Sequence, residues 1–333
     1  MKFLQLLRPV NLVIIALTMY SVRFFYFTLG SISTLPIGNP ARERVDFFLL
    51  VLSTVLIAAA GNIINDYFDV RADRINRPER LIITKHVKRR WAIITHWLFN
   101  FVAFSIAIYL SARYTTFWYV FIHLLTINSL WFYSMYFKRR PFIGNFIIAG
   151  LTALVPILCG IHFHLQTGFP EAGDGSVVLP VVSSVNDSIA IWKLRLLADG
   201  RFVFLLAYFA FTLNLSREII KDMQDMEGDK LLYARTLPIV LGIRKSAWIA
   251  TAVLALAPVF FIVLFVLHVQ QDYSLHLLAL LPLALSGLLN LISAVILLRH
   301  PANIQRLKQA DLVLKISMLL GIVVPFYWWF FHS

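Results

Sequence analysis

The chain has 333 residues, 59% of them hydrophobic and 14% charged, with a mean hydropathy of +0.77. Soluble domains hold roughly 45–50% apolar and about 25% charged residues, so this composition excludes an ordinary water-soluble fold and points to an integral membrane protein. The formal net charge is +13; how that charge is distributed decides whether it serves a polyanion or a membrane.

Several apolar runs reach about twenty residues, the length that crosses a hydrocarbon core of roughly 30 Å as helix. The first, roughly 9–30, follows Lys2 and Arg8. It is longer than a signal-peptide core and lacks a small-residue cleavage site, so it is expected to stay as a span. Arg23 falls toward its outer end, where a long side chain can snorkel to the interface. Further runs follow at roughly 46–64, 91–111, 115–136, 142–163, 201–217, 246–269, 275–298 and 312–331. The expected fold is all-α, a multi-pass transmembrane bundle of about nine helices forming a single domain over residues 1–333.

Between these runs, the longest connection, roughly 164–200, contains the turn-rich stretch G-F-P-E-A-G-D-G-S and reads as a surface loop. The lone Cys159, in the fifth run, excludes an intrachain disulfide and reads as a small buried hydrophobe. His162 and His164 have no acidic companion and read as an interfacial polar pair rather than a metal site. Asn100, Asn128, Asn214 and Asn290 are expected to hydrogen-bond between helices. W-W-F-F near the carboxyl end reads as an aromatic belt.

With the amino terminus in the cytoplasm and nine crossings, most of the 30 Lys and Arg fall on the inner side, in 71–90, 138–140, 217–245 and 299–308. The outer side receives Arg42, Arg44, Arg113, Lys193, Arg195 and Arg201. This skew follows the positive-inside rule and accounts for the excess charge without nucleic acid. It predicts a protein of the cytoplasmic (inner) membrane, in contact with lipid, whose functional face looks into the cytoplasm.

More than half of the 17 acids lie in two of the inner loops. At about 100° per residue, Asn65, Asp66, Asp69 and Asp73 share an arc of roughly 100°, with Asn62 beside them. In the second loop Glu218, Lys221, Asp222, Asp225 and Asp229 share a face, while Glu227 points away. Asp66, Asp69, Asp73 and Asp222, Asp225, Asp229 are both spaced D-x-x-D-x-x-x-D, a repeated device. Carboxylates this close repel unless a cation lies between them. Oxygen-only ligands favour a hard ion, and magnesium is commonly held by one or two carboxylates plus phosphate oxygens.

The two stretches therefore read as half-sites for magnesium-diphosphate. The six aspartates and Asn65 are the candidate metal ligands, and the aspartates the candidate catalytic set. Arg77, Arg80, Lys138, Arg139 and Lys221 are candidate contacts to diphosphate or to an anionic acceptor, with Asn62 and Glu218 as further members of the substrate site. The bland alternative, solvated charge at helix ends, explains one cluster well. It explains two matching one-faced clusters on one side poorly.

The pair N-D-Y-F-D-V-R-A-D and K-D-M-Q-D-M-E-G-D resembles the two aspartate-rich motifs of the UbiA superfamily of intramembrane prenyltransferases. R-P-V-N at Arg8, I-N-R-P-E-R at Ile75, Y-S-M-Y-F-K-R-R-P-F-I-G-N at Tyr133 and R-T-L-P at Arg235 extend the resemblance along the chain. It implies nine crossings and transfer of an isoprenyl group from a prenyl diphosphate to a lipophilic acceptor, with two magnesium ions bridging the diphosphate. Within the superfamily the chain looks most like the geranylgeranylglycerol-phosphate geranylgeranyltransferase branch. Leu81 to His86 reads L-I-I-T-K-H where many members carry a P-x-x-S-G-type turn, which leaves a glycerol-phosphate ether, a quinone-precursor ring and a porphyrin-type ring open as acceptors, in that order. Prenyl length and oligomeric state are not legible. Of two rival readings, a CDP-alcohol phosphotransferase requires D-G-x-x-A-R where V-R-A-D stands. A secondary transporter would place its charges near the bilayer midplane.

Overall fold

A computed structural model describes residues 2–28, 40–76, 78–167, 185–231, 233–269 and 281–332. Lipid offers no hydrogen bonds to the backbone, so a spanning chain must satisfy its own, and the apolar runs become helices. In chain order these are α1 (Lys2–Leu7), α2 (Pro9–Thr28), α3 (Pro40–Asn76), α4 (Arg89–Arg113), α5 (Trp118–Met135), α6 (Ile143–Thr167), α7 (Val185–Leu231), α8 (Leu237–Leu241), α9 (Ile243–Val269), α10 (Leu281–Arg299) and α11 (Ile304–His332). Short 3-10 turns lie at Pro78–Arg80 and Phe137–Arg139. Among the described residues, each of the nine expected spans overlaps one of the long helices; 29–30 of the first and 275–280 of the eighth lie outside them. Five of the helices are, among the described residues, long and apolar enough by composition alone to cross a membrane.

Two helices are much longer than a bilayer requires. At about 1.5 Å per residue, the 37 residues of α3 reach roughly 55 Å and the 47 of α7 roughly 70 Å. Each therefore carries its acidic face on the same unbroken helix that forms a span. The long connection is correspondingly shorter than the sequence reading. Residues 185–200, taken there as loop, begin α7, because I-A-I-W-K-L-R-L-L-A has no helix breaker. The turn-rich residues 168–176 lie outside the described residues.

α3 packs against α4, α5 and α7; α7 packs against α6, α9 and α11; α2 closes the ring against α6 and α11. One buried core joins α2 through α6 around Met19, Phe47, Leu50, Tyr119 and Phe163. A second joins α7, α9, α10 and α11 around Leu213, Ile219, Leu254, Leu297 and Leu314. A third, small one, made of Leu6, Ile63, Val70, Ile83 and Ala92, pins α1 onto the C-terminal end of α3.

Polar locks tie the other end together. Arg23 of α2 forks onto Glu43 of α3, Nε to Oε1 at 3.2 Å and Nη2 to Oε2 at 2.7 Å, and Glu43 is 4% exposed. Arg23 thus serves a specific ion pair rather than snorkelling. Buried Asp46 accepts from the hydroxyls of Tyr109 at 3.2 Å and Tyr114 at 2.9 Å. His162 is fully buried and bonded to the Tyr119 hydroxyl at 2.7 Å, so it is not interfacial. The His164 side chain and the W-W-F-F side chains lie outside the description. Of the four asparagines, Asn290 alone bonds across helices, accepting from Ser317 of α11 at 2.9 Å. Asn128 and Asn214 donate to carbonyls of their own helices, and Asn100 pairs with His96 one turn away. For Asn128 and Asn214, an in-helix carbonyl one turn back satisfies the amide without a partner helix. Cys159 is buried, as expected.

Glu43→Gln should lower the unfolding free energy by about 1–3 kcal/mol, less than a fully buried pair because Arg23 keeps some solvent. Thermal unfolding in detergent followed by tryptophan fluorescence measures the loss.

Candidate functional site

The C-terminal end of α3 places its polar residues in one row. Asn65 Nδ2 donates to Asp69 Oδ2 at 2.9 Å, one turn on, which fixes both side chains. Asn62 donates to the Leu7 carbonyl at 2.9 Å and so fastens the α1–α2 junction to α3. At that junction Arg8 adopts φ of +54°, in the left-handed region, and turns its guanidinium onto Asp66, Nη2 to Oδ1 at 2.5 Å. A non-glycine residue in that region is sparsely populated, and such positions concentrate at functional sites.

Facing this row is the connection from α5 to α6. Its 3-10 turn carries Lys138, whose ammonium bonds Asp69 and lies 3.5 Å from Asn65 Oδ1. Burial pulls the Lys138 ammonium down, but the Asp69 carboxylate beside it more than offsets that, so it titrates above the ordinary lysine range. Arg8 is balanced in the same way, burial against Asp66, and is raised. The turn sits close because the second residue of α6 is Gly144. A β-carbon on Gly144 would lie 2.8 Å from the Phe137 carbonyl oxygen and 3.1 Å from Lys138 Cα.

The same short region holds the second acidic face. Asn145, buried at the start of α6, donates Nδ2 to Asp222 Oδ2 at 2.8 Å. After α7 the chain returns to the turn, the Arg235 amide donating to the Arg139 carbonyl at 3.0 Å. Lys221 bonds Glu218 one turn back on α7. Asp229 lies close enough to Lys138, Asp225 and Asp69 for their charges to interact, and Tyr133 of α5 is within the same reach of Glu218, Asp222 and Asp69. The two acidic faces therefore look into one space, with Lys138, Tyr133 and Asn145 between them.

Most of the residues singled out from the sequence meet here: Asn65, Asp66, Asp69, Glu218, Lys221, Asp222 and Asp229 in direct contacts or charge reach, Asp73 through its charge on Arg8 and Lys138, Asp225 through Asp229. Glu227 is exposed on the far side. Asn62 is held by backbone and acts as scaffold. The Arg139 side chain is exposed while its carbonyl ties the turn. Arg80 ends the turn after α3, with its side chain outside the description, and Arg77 lies outside it altogether. Sequence reasoning missed Arg8, Tyr133 and Asn145 as site members. All three fall inside stretches that carry the family resemblance, R-P-V-N and Y-S-M-Y-F-K-R-R-P-F-I-G-N.

Among the described residues no three His, Cys, Asp or Glu side chains are already gathered around one point. The donor set is nonetheless carboxylate and amide oxygen on two facing helices. Such a set suits a hard divalent ion that brings phosphate and water oxygens with it, since a few protein oxygens then suffice. Asp66, Asp69 and Glu218 each already hold a positive group where such a charge would sit.

Residues 24–308 match the UbiA prenyltransferase family. The chain is 27% identical over 321 residues to the digeranylgeranylglyceryl phosphate synthase of Thermococcus kodakarensis, covering 96% of this chain and 95% of that one. A solved structure of a digeranylgeranylglyceryl phosphate synthase shares the fold with a TM-score of 0.61 at 22% identity, covering 97% of both chains. So does a UbiA homologue from Archaeoglobus fulgidus bound to DMAPP and Mg2+, with a TM-score of 0.54 at 15% identity and coverage of 98% of this chain and 99% of that one. With its motifs, its helices and this match over most of its length in agreement, the chain belongs to the UbiA prenyltransferase family, and it is an integral membrane prenyltransferase.

Proposed function

We propose that this enzyme transfers an isoprenyl group from a prenyl diphosphate to a glycerol-phosphate ether lipid of the geranylgeranylglycerol phosphate type, with magnesium, on the cytoplasmic side of the membrane. The observation that carries the reading is the convergence of Asp69 and Asp229 on Lys138: two oxygen-bearing faces and their cations share one space. The name of the Thermococcus relative supports the acceptor, and the ligands of the Archaeoglobus homologue support the donor and the metal.

Asn65, Asp66, Asp69 and Asp73 of α3 and Asp222, Asp225 and Asp229 of α7 would hold the magnesium, which we take to be two ions. Magnesium bound there supplies Lewis-acid neutralisation of the leaving diphosphate. Arg8 and Lys138, once released from their carboxylates, turn to phosphate oxygens; charge-assisted bonds of this kind are the strong ones. Lys138 would donate from the turn that already holds it beside the α3 row. These fixed donors stabilise negative charge as it builds on the departing oxygen. Asn145 keeps Asp222 aimed inward, and Asn65 does the same for Asp69. The Tyr133 ring, between the acidic faces, presents an aromatic surface to the allylic cation. The apolar bundle above keeps water from that cation.

Asp69→Asn or Asp225→Asn should reduce prenyl transfer at least a hundredfold in folded protein. The readout is pyrophosphate release from geranylgeranyl diphosphate in detergent, and chelation of magnesium should abolish it reversibly. Gly144→Ala should cost about tenfold or more by displacing the turn that carries Lys138. Gly61→Ala should keep near-native rates, because its new methyl group meets only the Leu130 side chain, whose end at 2.9 Å can rotate away.

A further inference from the structure

Beside the acid faces lies a cluster that the donor chemistry leaves unused. Arg217 of α7 binds Asp311 of α11, Nε to Oδ1 at 2.7 Å, both side chains 14% exposed. The other oxygen of Asp311 takes Lys315, Nζ to Oδ2 at 2.6 Å. Lys221, one turn along α7 from Arg217, is near enough to Arg217 and to Arg8 for their charges to repel it. Three cations thus meet two carboxylates, Glu218 and Asp311, in a half-buried corner between α7 and α11.

Fastening α7 to α11 needs one cation on Asp311, and the arrangement supplies two from different helices. A positive excess in a partly desolvated place is costly without an anion. Asp311 holds Arg217 and Lys315 side by side, which presents two donors to the oxygens of one tetrahedral group. Lys315 stands one turn into the apolar stretch of α11, at the depth where an amphiphile with its tail in the bilayer carries its headgroup. Through Lys221 and Arg8 the corner adjoins the donor pocket. An uncharged aromatic acceptor would bring nothing to balance it.

We propose that Arg217, Lys221 and Lys315 form a second anion subsite, separate from Arg8 and Lys138, that binds the phosphate of the acceptor lipid and so selects phosphorylated over neutral acceptors. This rests on the acceptor reading given above. The experiment measures initial rates in nanodiscs of zwitterionic lipid for the native enzyme, Lys315→Gln and Lys315→Arg. Each is given the phosphorylated acceptor and its dephosphorylated counterpart. Lys315→Gln should raise KM for the phosphorylated acceptor about tenfold, leave KM for the prenyl diphosphate unchanged, and lose the preference for the phosphate; Lys315→Arg should restore it. Lys315 is half-exposed, and size-exclusion profiles confirm that the variants fold. An unchanged acceptor KM in Lys315→Gln overturns the subsite, as does an equal rise for the neutral acceptor or the donor. An effect that appears only when acidic lipid is added assigns the corner to bulk lipid and also overturns it. Failure of the native enzyme to use any phosphorylated acceptor, by contrast, rejects the acceptor reading itself.

Discussion

Carboxylates on two helices cannot face one another at the end of an apolar bundle unless positive charge stands between them. Much of the charged end of this molecule answers that constraint. Arg8 on Asp66, Lys138 on Asp69 and Lys221 on Glu218 each bring a cation from a different part of the chain. Placing those cations requires a left-handed joint between α1 and α2, a 3-10 turn between α5 and α6, and a glycine that lets that turn lie close. Removing one partner of such a buried pair is costly because the other charge is stranded. The pocket therefore has a defined form before any substrate enters.

The rest of the bundle separates this charged end from a rigid opposite end. Arg23 with Glu43 and Asp46 with two tyrosines hold α2, α3 and α4 together away from the site. Two apolar cores, one built around α3 and the other around α7, anchor the two helices that carry the acidic faces. Because α3 and α7 run unbroken from span to acid row, any tilt of either helix moves its carboxylates as a body.

Much of this is legible in the residues. Length and apolarity give the long helices among the described residues, since lipid leaves a spanning backbone few alternatives. The acid spacing gives the facing rows, because a helix converts sequence separation into angle. What is not legible depends on contacts between distant segments. Arg8 reads as one more inner-side arginine until Asp66 is seen beside it, and Asn145 reads as an ordinary helix-start residue until Asp222 is. Arg23 needs Glu43, which lies beyond a stretch outside the described residues. The start of α7 at Val185 was hidden for another reason: a turn-rich neighbour lent its character to a segment that is itself a good helix former.

The ties that build the pocket have a common direction in time. Arg8 waits 58 residues for Asp66, Asp69 waits 69 for Lys138, Asn145 waits 77 for Asp222, and Arg217 waits 94 for Asp311. Chains are synthesised from the amino end and tend to fold in that order. On the ribosome, the α3 row can be capped by its cations before α7 exists. The nascent protein need never hold two bare rows of acid at once.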